Sequence, residues 1–209
     1  MRYAVYLPPG HSAGRPWPAA LFLHGIGERG EDGVGPTRVG IGPALLVRPE
    51  IAPLVVVLPQ CHPALDWRDP AMEQGALAAL DETIAEHGID TTRVYLTGIS
   101  MGGIGAWRIG ASHPERFAAV VPICGIGDPT TQVKPLQGTP VWCFHGSNDA
   151  VIPAECSRDM VEALRRAGGE VRYSEYEGVG HDSWTQAYGE PELYRWLLER
   201  RKPARGERH

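Results

Sequence analysis

The stretch YLTGISMGGIGAW, residues 95–107, places one serine between glycines at the junction of two patterns. A β-branched and aromatic run typical of a strand leads into it, and a run with helical spacing follows it. Its centre, residues 98–102, has the form G-x-S-x-G. A strand that turns into a helix within about two residues strains the apex residue, and flanking glycines let the neighbouring backbones pass. The stretch therefore predicts a strand–turn–helix with Ser100 exposed at its apex, although a serine that only caps a helix would show the same letters.

The composition is that of a soluble globular protein with a substantial core. Of the 209 residues, 43% are hydrophobic and 22% are charged, and the formal net charge is −5. Acidic and basic residues are interspersed, which argues against a nucleic-acid-binding surface. No apolar run approaches the roughly 20 residues of a membrane-spanning helix. We therefore expect neither a nucleic-acid partner nor a membrane partner.

The cysteines give no sign of a metal site. Cys61, Cys124, Cys143 and Cys156 have neither C-x-x-C spacing nor another metal-ligand spacing, and their disulfide status stays open. We predict no metal and no cofactor.

Strand patterns alternate with helical patterns along the whole chain. Several strand patterns are continuous apolar runs, as expected for parallel strands covered on both faces. The predicted strands span 2–7, 19–25, 53–60, 93–98, 117–124, 140–146 and 171–176. The predicted helices span 41–48, 71–87, 101–112, 154–167 and 184–201. This alternation predicts the α/β class with a mostly parallel, doubly wound sheet flanked by helices.

The chain shows no repeat, linker or break in composition, so we predict a single domain over residues 1–209. The sizeable stretch after Cys124 is too short for a large cap domain. Residues 200–209 are basic and are expected to form a frayed tail. A strand pattern begins almost at Met1, so no signal peptide is expected in this chain. A monomer is favoured.

Three residues of complementary chemistry follow three of the predicted strands. Ser100 follows 93–98, Asp149 follows 140–146, and His181 follows 171–176. Loops after parallel strands emerge at one edge of the sheet, where ligands bind. A serine nucleophile needs a histidine base, and the histidine needs a carboxylate that holds its tautomer. The sequence therefore predicts a Ser100–His181–Asp149 triad in the chain order Ser, Asp, His.

Other residues could supply the acid or the base. Asp128 follows the strand 117–124 and is the rival to Asp149, whereas Asp182 is adjacent to His181 and is interpreted as fixing the loop. His145 ends a strand and is interpreted as a structural hydrogen-bonding residue. His24 is interpreted as a buried brace of its loop, as is Glu28 in the same loop.

An oxyanion produced by attack of Ser100 needs two backbone donors. One is the N–H of Met101, directly after the nucleophile. The other is expected from the glycine-rich loop HGIGERG, residues 24–30, at Ile26. We predict that these two N–H groups form the oxyanion hole.

Four motifs together give a specific resemblance: LFLHGIGERGEDG (21–33), GISMGG (98–103), FHGSNDAVIP (144–153) and GVGHDSWTQAY (178–188). The chain resembles the esterase and predicted-peptidase branch of the α/β-hydrolase superfamily, which is related to dienelactone-hydrolase-like and polyhydroxybutyrate-depolymerase-like enzymes. The resemblance covers Tyr3 to about Leu198. It implies an α/β-hydrolase fold, a carboxylesterase that favours short acyl chains, and a family in which several members are domains of secreted proteins.

The resemblance also sets limits. Acyl-protein thioesterases are similar in fold and triad, but the residue after the nucleophile is Met101 here. A dienelactone hydrolase would carry a cysteine nucleophile where this chain has Ser100, which argues against that chemistry. Thioester or peptide hydrolysis on the same site is the alternative to ester hydrolysis. A binding protein on a hydrolase fold would usually have lost a triad member.

Two tryptophans are predicted to line the site of a small-molecule ester. Trp67 lies in CHPALDWRDP (61–70), a polar loop after the strand 53–60, and Trp184 lies three residues after His181. Trp67 could instead anchor its own loop. With no lid, walls of this kind predict a preference for acetyl to butyryl esters.

Overall fold

The protein is described by a computed structural model over residues 1–12 and 14–202. One seven-stranded sheet organises these residues, with the strand order β1-β3-β2-β4-β5-β6-β7. Strand β1 runs antiparallel to β3, and every other neighbouring pair is parallel. The strands are β1 (Tyr3–Tyr6), β2 (Trp17–Leu23), β3 (Val55–Pro59), β4 (Ile89–Ile99), β5 (Ala119–Ile123), β6 (Val141–Gly146) and β7 (Val171–Tyr176). The predicted mostly parallel α/β sheet is confirmed.

Seven α-helices cover the two faces of the sheet in the described part of the chain. They are α1 (Ile41–Val47), α2 (Pro70–His87), α3 (Met101–Ser112), α4 (Val133–Leu136), α5 (Glu155–Arg166), α6 (Trp184–Gly189) and α7 (Pro191–Leu198). Alternate residues of a strand point to opposite faces, so β2 gives Leu21 and Leu23 to one core cluster and Phe22 to the other. The first cluster packs against α2, α3 and α5, and the second against α1, α6 and α7.

The predicted final helix, 184–201, is two helices. The helix α6 ends at Gly189, and α7 begins at Pro191 after an extended Glu190 (φ −81°, ψ 114°). Proline has no N–H to continue a helix and pushes the residue before it out of the helical region, so the chain breaks there. The strand β4 also begins four residues earlier than predicted, at Ile89, which pairs with Trp17 of β2.

The connection between β5 and β6 is short, and the first residues of the predicted tail, 200–202, contact the rest of the protein. In the described ranges, the stretch between β5 and β6 holds only α4, and no insertion is long enough for a large cap. Arg200 and Arg201 pair with Glu170 and Asp90, and the Lys202 ammonium donates to the carbonyl of Arg116. The remainder of the predicted tail lies outside the described residues. Within those residues, the structure contains no helix with the length and apolar character needed to cross a bilayer.

Candidate active site

Ser100 stands at the sharp turn between β4 and α3. Its backbone has φ 52° and ψ −117°, a left-handed conformation that costs energy for a residue with a side chain. A Cβ on Gly98 would collide with the carbonyl oxygen of Gly102, and a Cβ on Gly102 would collide with that of Leu23. Only glycine fits at these two positions. The turn holds the Ser100 hydroxyl at the carboxyl end of the sheet.

The structure brings Ser100, His181 and Asp149 into one hydrogen-bonded chain. The Oγ of Ser100 lies 2.9 Å from His181 Nε2, and His181 Nδ1 lies 2.6 Å from Asp149 Oδ2. A carboxylate only accepts, so Nδ1 carries the proton and donates it to Asp149. Nε2 is therefore free to accept the hydroxyl proton of Ser100. This is the arrangement that makes a serine hydroxyl a nucleophile.

Asp149 is fully buried at its side chain and is held as an anion. Burial by itself would raise its pKa, but hydrogen bonds from His181 and from the backbone N–H groups of Ile152 and Val151 outweigh that effect and hold the pKa below its usual value. The two backbone N–H groups lie 2.9 and 2.8 Å from Oδ1. The carboxylate is thus fixed in one orientation toward His181.

The rival acids lie in other environments. The exposed carboxylate of Asp128 accepts hydrogen bonds from Thr130 and Thr131 in its own loop. Asp182 accepts from the backbone and hydroxyl of Thr185 and so caps the start of α6. Within the described chain, the hydrogen-bond partners of the His181 ring are Ser100 and Asp149.

Met101 directly follows Ser100, and the loop that carries Ile26 begins next to Ser100. Met101 is the first residue of α3, and the first hydrogen bond of that helix runs from Ile104 N–H to Ser100 O, so the Met101 N–H has no partner within the helix. A Cβ on Gly25 would lie 3.8 Å from the Cβ of Ser100, which places the loop that begins with Ile26 against the nucleophile.

His24 braces this loop from below. The ring is fully buried, its Nε2 accepts the N–H of Cys61 at 2.9 Å, and its Nδ1 lies 2.5 Å from the carbonyl oxygen of Gly25. Burial lowers the pKa of His24 to about 4, so the ring stays neutral and Nδ1 donates. The predicted bracing role of His24 agrees with these contacts.

The expectation that Trp67 lines the site is wrong. Its side chain is 0% exposed and packs in the core cluster formed with α2 and α3. Its indole Nε1–H donates to the carbonyl oxygen of His24 at 2.9 Å. Burial stabilises a tryptophan side chain when its indole N–H can donate to a buried carbonyl oxygen, because no polar group is then left unpaired. Trp67 anchors its own loop to the end of β2.

We therefore expect Trp67→Ala to lower the free energy of unfolding by about 3–5 kcal/mol, because it leaves a cavity and an unpaired carbonyl. Trp67→Phe is the matched control, since it keeps an aromatic ring and loses the N–H, and its expected loss is about 1–3 kcal/mol. Urea denaturation followed by far-UV circular dichroism measures both losses. A Trp67→Ala protein within about 1 kcal/mol of the parent would contradict the buried position.

Trp184, the other predicted wall, does border a groove. Its ring meets the His181 ring edge to face, with centroids 5.4 Å apart and planes at 88°. Beyond it a cavity of about 480 Å³ runs between α1 and α6, with Val39, Ala44, Val47 and Ile51 among its lining residues. Trp184 therefore links the histidine of the site to an apolar groove.

Two features of the site have weak sequence signals. Cys124, at the end of β5, has φ 42°, and its Sγ lies within 4.8 Å of ligand atoms of Asp149 and His181. Burial raises the pKa of this thiol to about 12, so it stays protonated and is a poor nucleophile and a poor metal ligand. His145 contacts Asp149 on the buried side, away from His181. In the sequence, the spacing of four residues between His145 and Asp149 is the signal that points to this contact.

Comparisons with known proteins show the family of the chain. Residues 72–190 match the family model described as phospholipase/carboxylesterase. "Putative esterase NocK" of Nocardia uniformis subsp. tsuyamanensis is 32% identical over 80% of this chain and 56% of that protein. Acyl-protein thioesterase 1 of Gibberella zeae is 25% identical over 52% of this chain and 49% of that protein. The chain thus spans about half the length of these curated relatives.

A solved structure extends the likeness to the fold. The crystal structure of a thermostable esterase has a TM-score of 0.87 and 34% sequence identity to this chain, and the match covers 96% of this chain and 59% of that one.

Proposed function

Because the chain belongs to the phospholipase/carboxylesterase family of α/β-hydrolases, we propose that it is a serine carboxylesterase that hydrolyses short-acyl esters through an acyl-enzyme. The observation that carries this proposal is the chain of contacts from Ser100 Oγ to His181 Nε2 (2.9 Å) and from His181 Nδ1 to Asp149 Oδ2 (2.6 Å). Every side chain that acyl transfer requires is present in this chain. No step of it needs a group from a cofactor.

In the first half-reaction, Ser100 Oγ attacks the ester carbonyl carbon while His181 Nε2 takes the hydroxyl proton. The carbonyl oxygen becomes an oxyanion, which the N–H groups of Ile26 and Met101 would stabilise at the positive end of the α3 dipole. His181 then gives its proton to the alcohol oxygen, the carbon–oxygen bond breaks, and the acyl group stays on Ser100. Asp149 stabilises the imidazolium between these two proton transfers.

In the second half-reaction, a water molecule takes the place of the alcohol. His181 removes one of its protons as the oxygen attacks the acyl carbon. The tetrahedral intermediate collapses, Ser100 recovers its proton from His181, and the carboxylic acid leaves. Ping-pong kinetics follow from this sequence.

The preference for acetyl to butyryl groups rests on the open site. In the described ranges no lid covers the edge of the sheet, and Ile26, in the loop that begins next to the nucleophile, is 59% exposed. Methylene groups of a long acyl chain would therefore stay in water, and each unburied CH₂ forfeits up to about 0.8 kcal/mol. We also propose that residues 1–209 form a single domain and that it acts as a monomer on small-molecule esters.

A serine-reactive fluorophosphonate probe and a series of p-nitrophenyl esters test the proposal. We expect one equivalent of probe on Ser100, with loss of activity, and the highest kcat/KM at two to four acyl carbons. An intact fold that neither reacts with the probe nor hydrolyses any ester would overturn the proposal in favour of a non-catalytic binding protein. A profile that rises steadily to eight carbons or more would overturn the acyl preference alone.

Thioester hydrolysis is the second candidate, because the chain is similar to an acyl-protein thioesterase over 52% of its length. Matched butyryl substrates, one an ester, one a thioester and one an anilide, separate ester, thioester and peptide-type hydrolysis. We expect the ester to have the largest kcat/KM after correction for the spontaneous rates. A larger corrected value for the thioester would reassign the substrate class without changing the triad.

A further inference from the structure

The groove beyond Trp184 is connected to the site at two points. Trp184 lies against His181 on one side. On the other side Gly40, which also lines the groove, lies against Ile99, the residue before Ser100: a Cβ on Gly40 would be 3.4 Å from Ile99 Cδ1. These two contacts place the groove next to the segments that carry His181 and Ser100, although neither of those two residues lines it.

The chemistry of the site decides which half of an ester faces this groove. His181 Nε2 must protonate the leaving alcohol, so the alcohol oxygen lies within hydrogen-bond distance of that nitrogen when the bond breaks. The rest of the alcohol then extends from the His181 side of the carbonyl, next to Trp184. The carbonyl oxygen faces the oxyanion donors, and the acyl chain is joined to the carbonyl carbon by a separate bond and extends away from the alcohol.

We propose that this groove binds the alcohol group of the ester and favours apolar alcohols of about the size of a benzyl group. The inference rests on the proposed esterase function. The cavity of about 480 Å³ lies in the range of small-ligand sites. Its apolar wall, formed by Val39, Ala44, Val47 and Trp184, suits a hydrocarbon ring, while Arg38, Arg48 and Asp182 make part of the lining polar.

Butyrate esters of methanol, cyclohexylmethanol and benzyl alcohol test this groove in a pH-stat assay. In the parent we expect kcat/KM for the two ring alcohols to exceed that of the methyl ester by about tenfold or more. Trp184→Ala and the groove-filling Ala44→Leu should each reduce that ratio at least threefold. Leu46→Ala is the matched control on α1, since Leu46 is 74% exposed and is not among the lining residues, and it should keep the ratio.

Two results would overturn the proposal: a parent ratio near one, or a ratio that both groove variants leave unchanged. Failure of the esterase function itself looks different, because the parent would then hydrolyse none of the three esters and would not react with the serine probe.

A second observation, independent of the groove, concerns His145. This fully buried ring points Nε2 at two acceptors, the carbonyl oxygen of Ile152 at 2.9 Å and Asp149 Oδ2 at 3.2 Å. Its Nδ1 lies 2.7 Å from the hydroxyl of Ser157. Because Nε2 faces only acceptors, it carries a proton and donates.

Asp149 Oδ2 therefore has a histidine ring nitrogen on each side, with the hydrogen bond of His145 Nε2 directed to the Ile152 carbonyl. His181 Nδ1 lies 2.6 Å from Oδ2 on the site side, and His145 Nε2 lies 3.2 Å from it on the buried side. Three hydrogen-bond donors hold the carboxylate, namely His181 and the two backbone N–H groups on Oδ1, and His145 Nε2 adds a longer electrostatic contact.

The structure assigns His145 as a positioning residue of the proposed triad, acting through Asp149. Its N–H draws negative charge from the oxygen that faces His181. Asp149 then stabilises the His181 imidazolium less than a carboxylate without this donor would. His145 thereby sets how strongly Asp149 stabilises the His181 imidazolium that forms during the reaction.

Other titratable groups lie near His145 and Asp149. Glu175 of β7 is opposite His145 in the sheet, and its pKa is lowered to about 2, chiefly by Arg158, so it stays charged. The thiols of Cys124, Cys143 and Cys156 all have pKa values raised chiefly by burial and stay neutral. These groups keep one charge state around neutral pH.

Two variants of similar size test the contacts of the two His145 ring nitrogens separately. Gln places its amide N–H near Nε2 and keeps the contact with Asp149, whereas Asn places its amide near Nδ1 and keeps only the contact with Ser157. We expect His145→Asn to move the acid limb of kcat/KM upward by about 0.4–1 pH unit and to lower kcat about three- to tenfold. His145→Gln should leave the limb in place.

If the acid limb of kcat/KM lies at the same pH in the parent and in both variants, the positioning role of His145 is overturned, whatever activity is lost. His145 would then have only a structural role. If His145→Asn does not fold, proton NMR of the parent supplies the test. The His145 Nε2–H resonance should shift as His181 titrates, and a resonance that does not respond would equally overturn the role.

Discussion

Ser100→Ala is expected to abolish ester hydrolysis while the fold stays intact. Removing the nucleophile of a Ser-His-Asp triad costs about 10⁴–10⁶ in kcat, because the remaining site can only bind the ester and polarise its carbonyl. Alanine removes one oxygen at the apex and leaves the flanking glycines in place. Initial rates on p-nitrophenyl acetate measure the loss, and thermal unfolding shows whether the fold is retained.

Ser112→Ala is the matched control, since Ser112 is an exposed residue at the far end of the same helix, α3. It should keep the parent rate and the parent melting temperature. A folded Ser100→Ala protein within tenfold of the parent would show that Ser100 is not the nucleophile.

Asp149→Asn is expected to lower kcat by about 10⁴, with little change in KM for a small ester. The asparagine amide has nearly the shape of the carboxylate, but it offers an N–H where His181 needs an acceptor. His181 would then hold its proton on Nε2 and could no longer accept the Ser100 proton. The imidazolium would also lose the charge that stabilises it.

Asp128→Asn is the comparison that makes this loss specific, because Asp128 is the other carboxylate that the chain order allowed. Its carboxylate is exposed and bonded to Thr130 and Thr131, so we expect a change of about threefold or less. Steady-state kinetics of both variants against p-nitrophenyl butyrate give the ranking. The opposite ranking would move the acid to the end of β5.

The class of fold could be read from the sequence because its signals are local. Continuous apolar runs alternate with helical spacing, and a parallel sheet covered by helices is the arrangement that buries both. The strained turn at Ser100 is also local, since the two glycines that it needs, Gly98 and Gly102, each lie two residues away from it. Chain order and the rule that parallel strands share a carboxyl edge then placed Ser100, Asp149 and His181 together.

What the tertiary structure decided depends on residues far apart in the chain. Trp67 is in the core because the carbonyl of His24, 43 residues away, accepts its N–H. Asp149 rather than Asp128 reaches His181 because β6 is the strand that pairs with β7. No local pattern carries such contacts, since each depends on which loops the sheet brings together. The sequence by itself therefore determined the α/β sheet, the turn at Ser100 and the edge where the site lies, while packing alone decided which tryptophan borders the groove and which histidine stands behind Asp149.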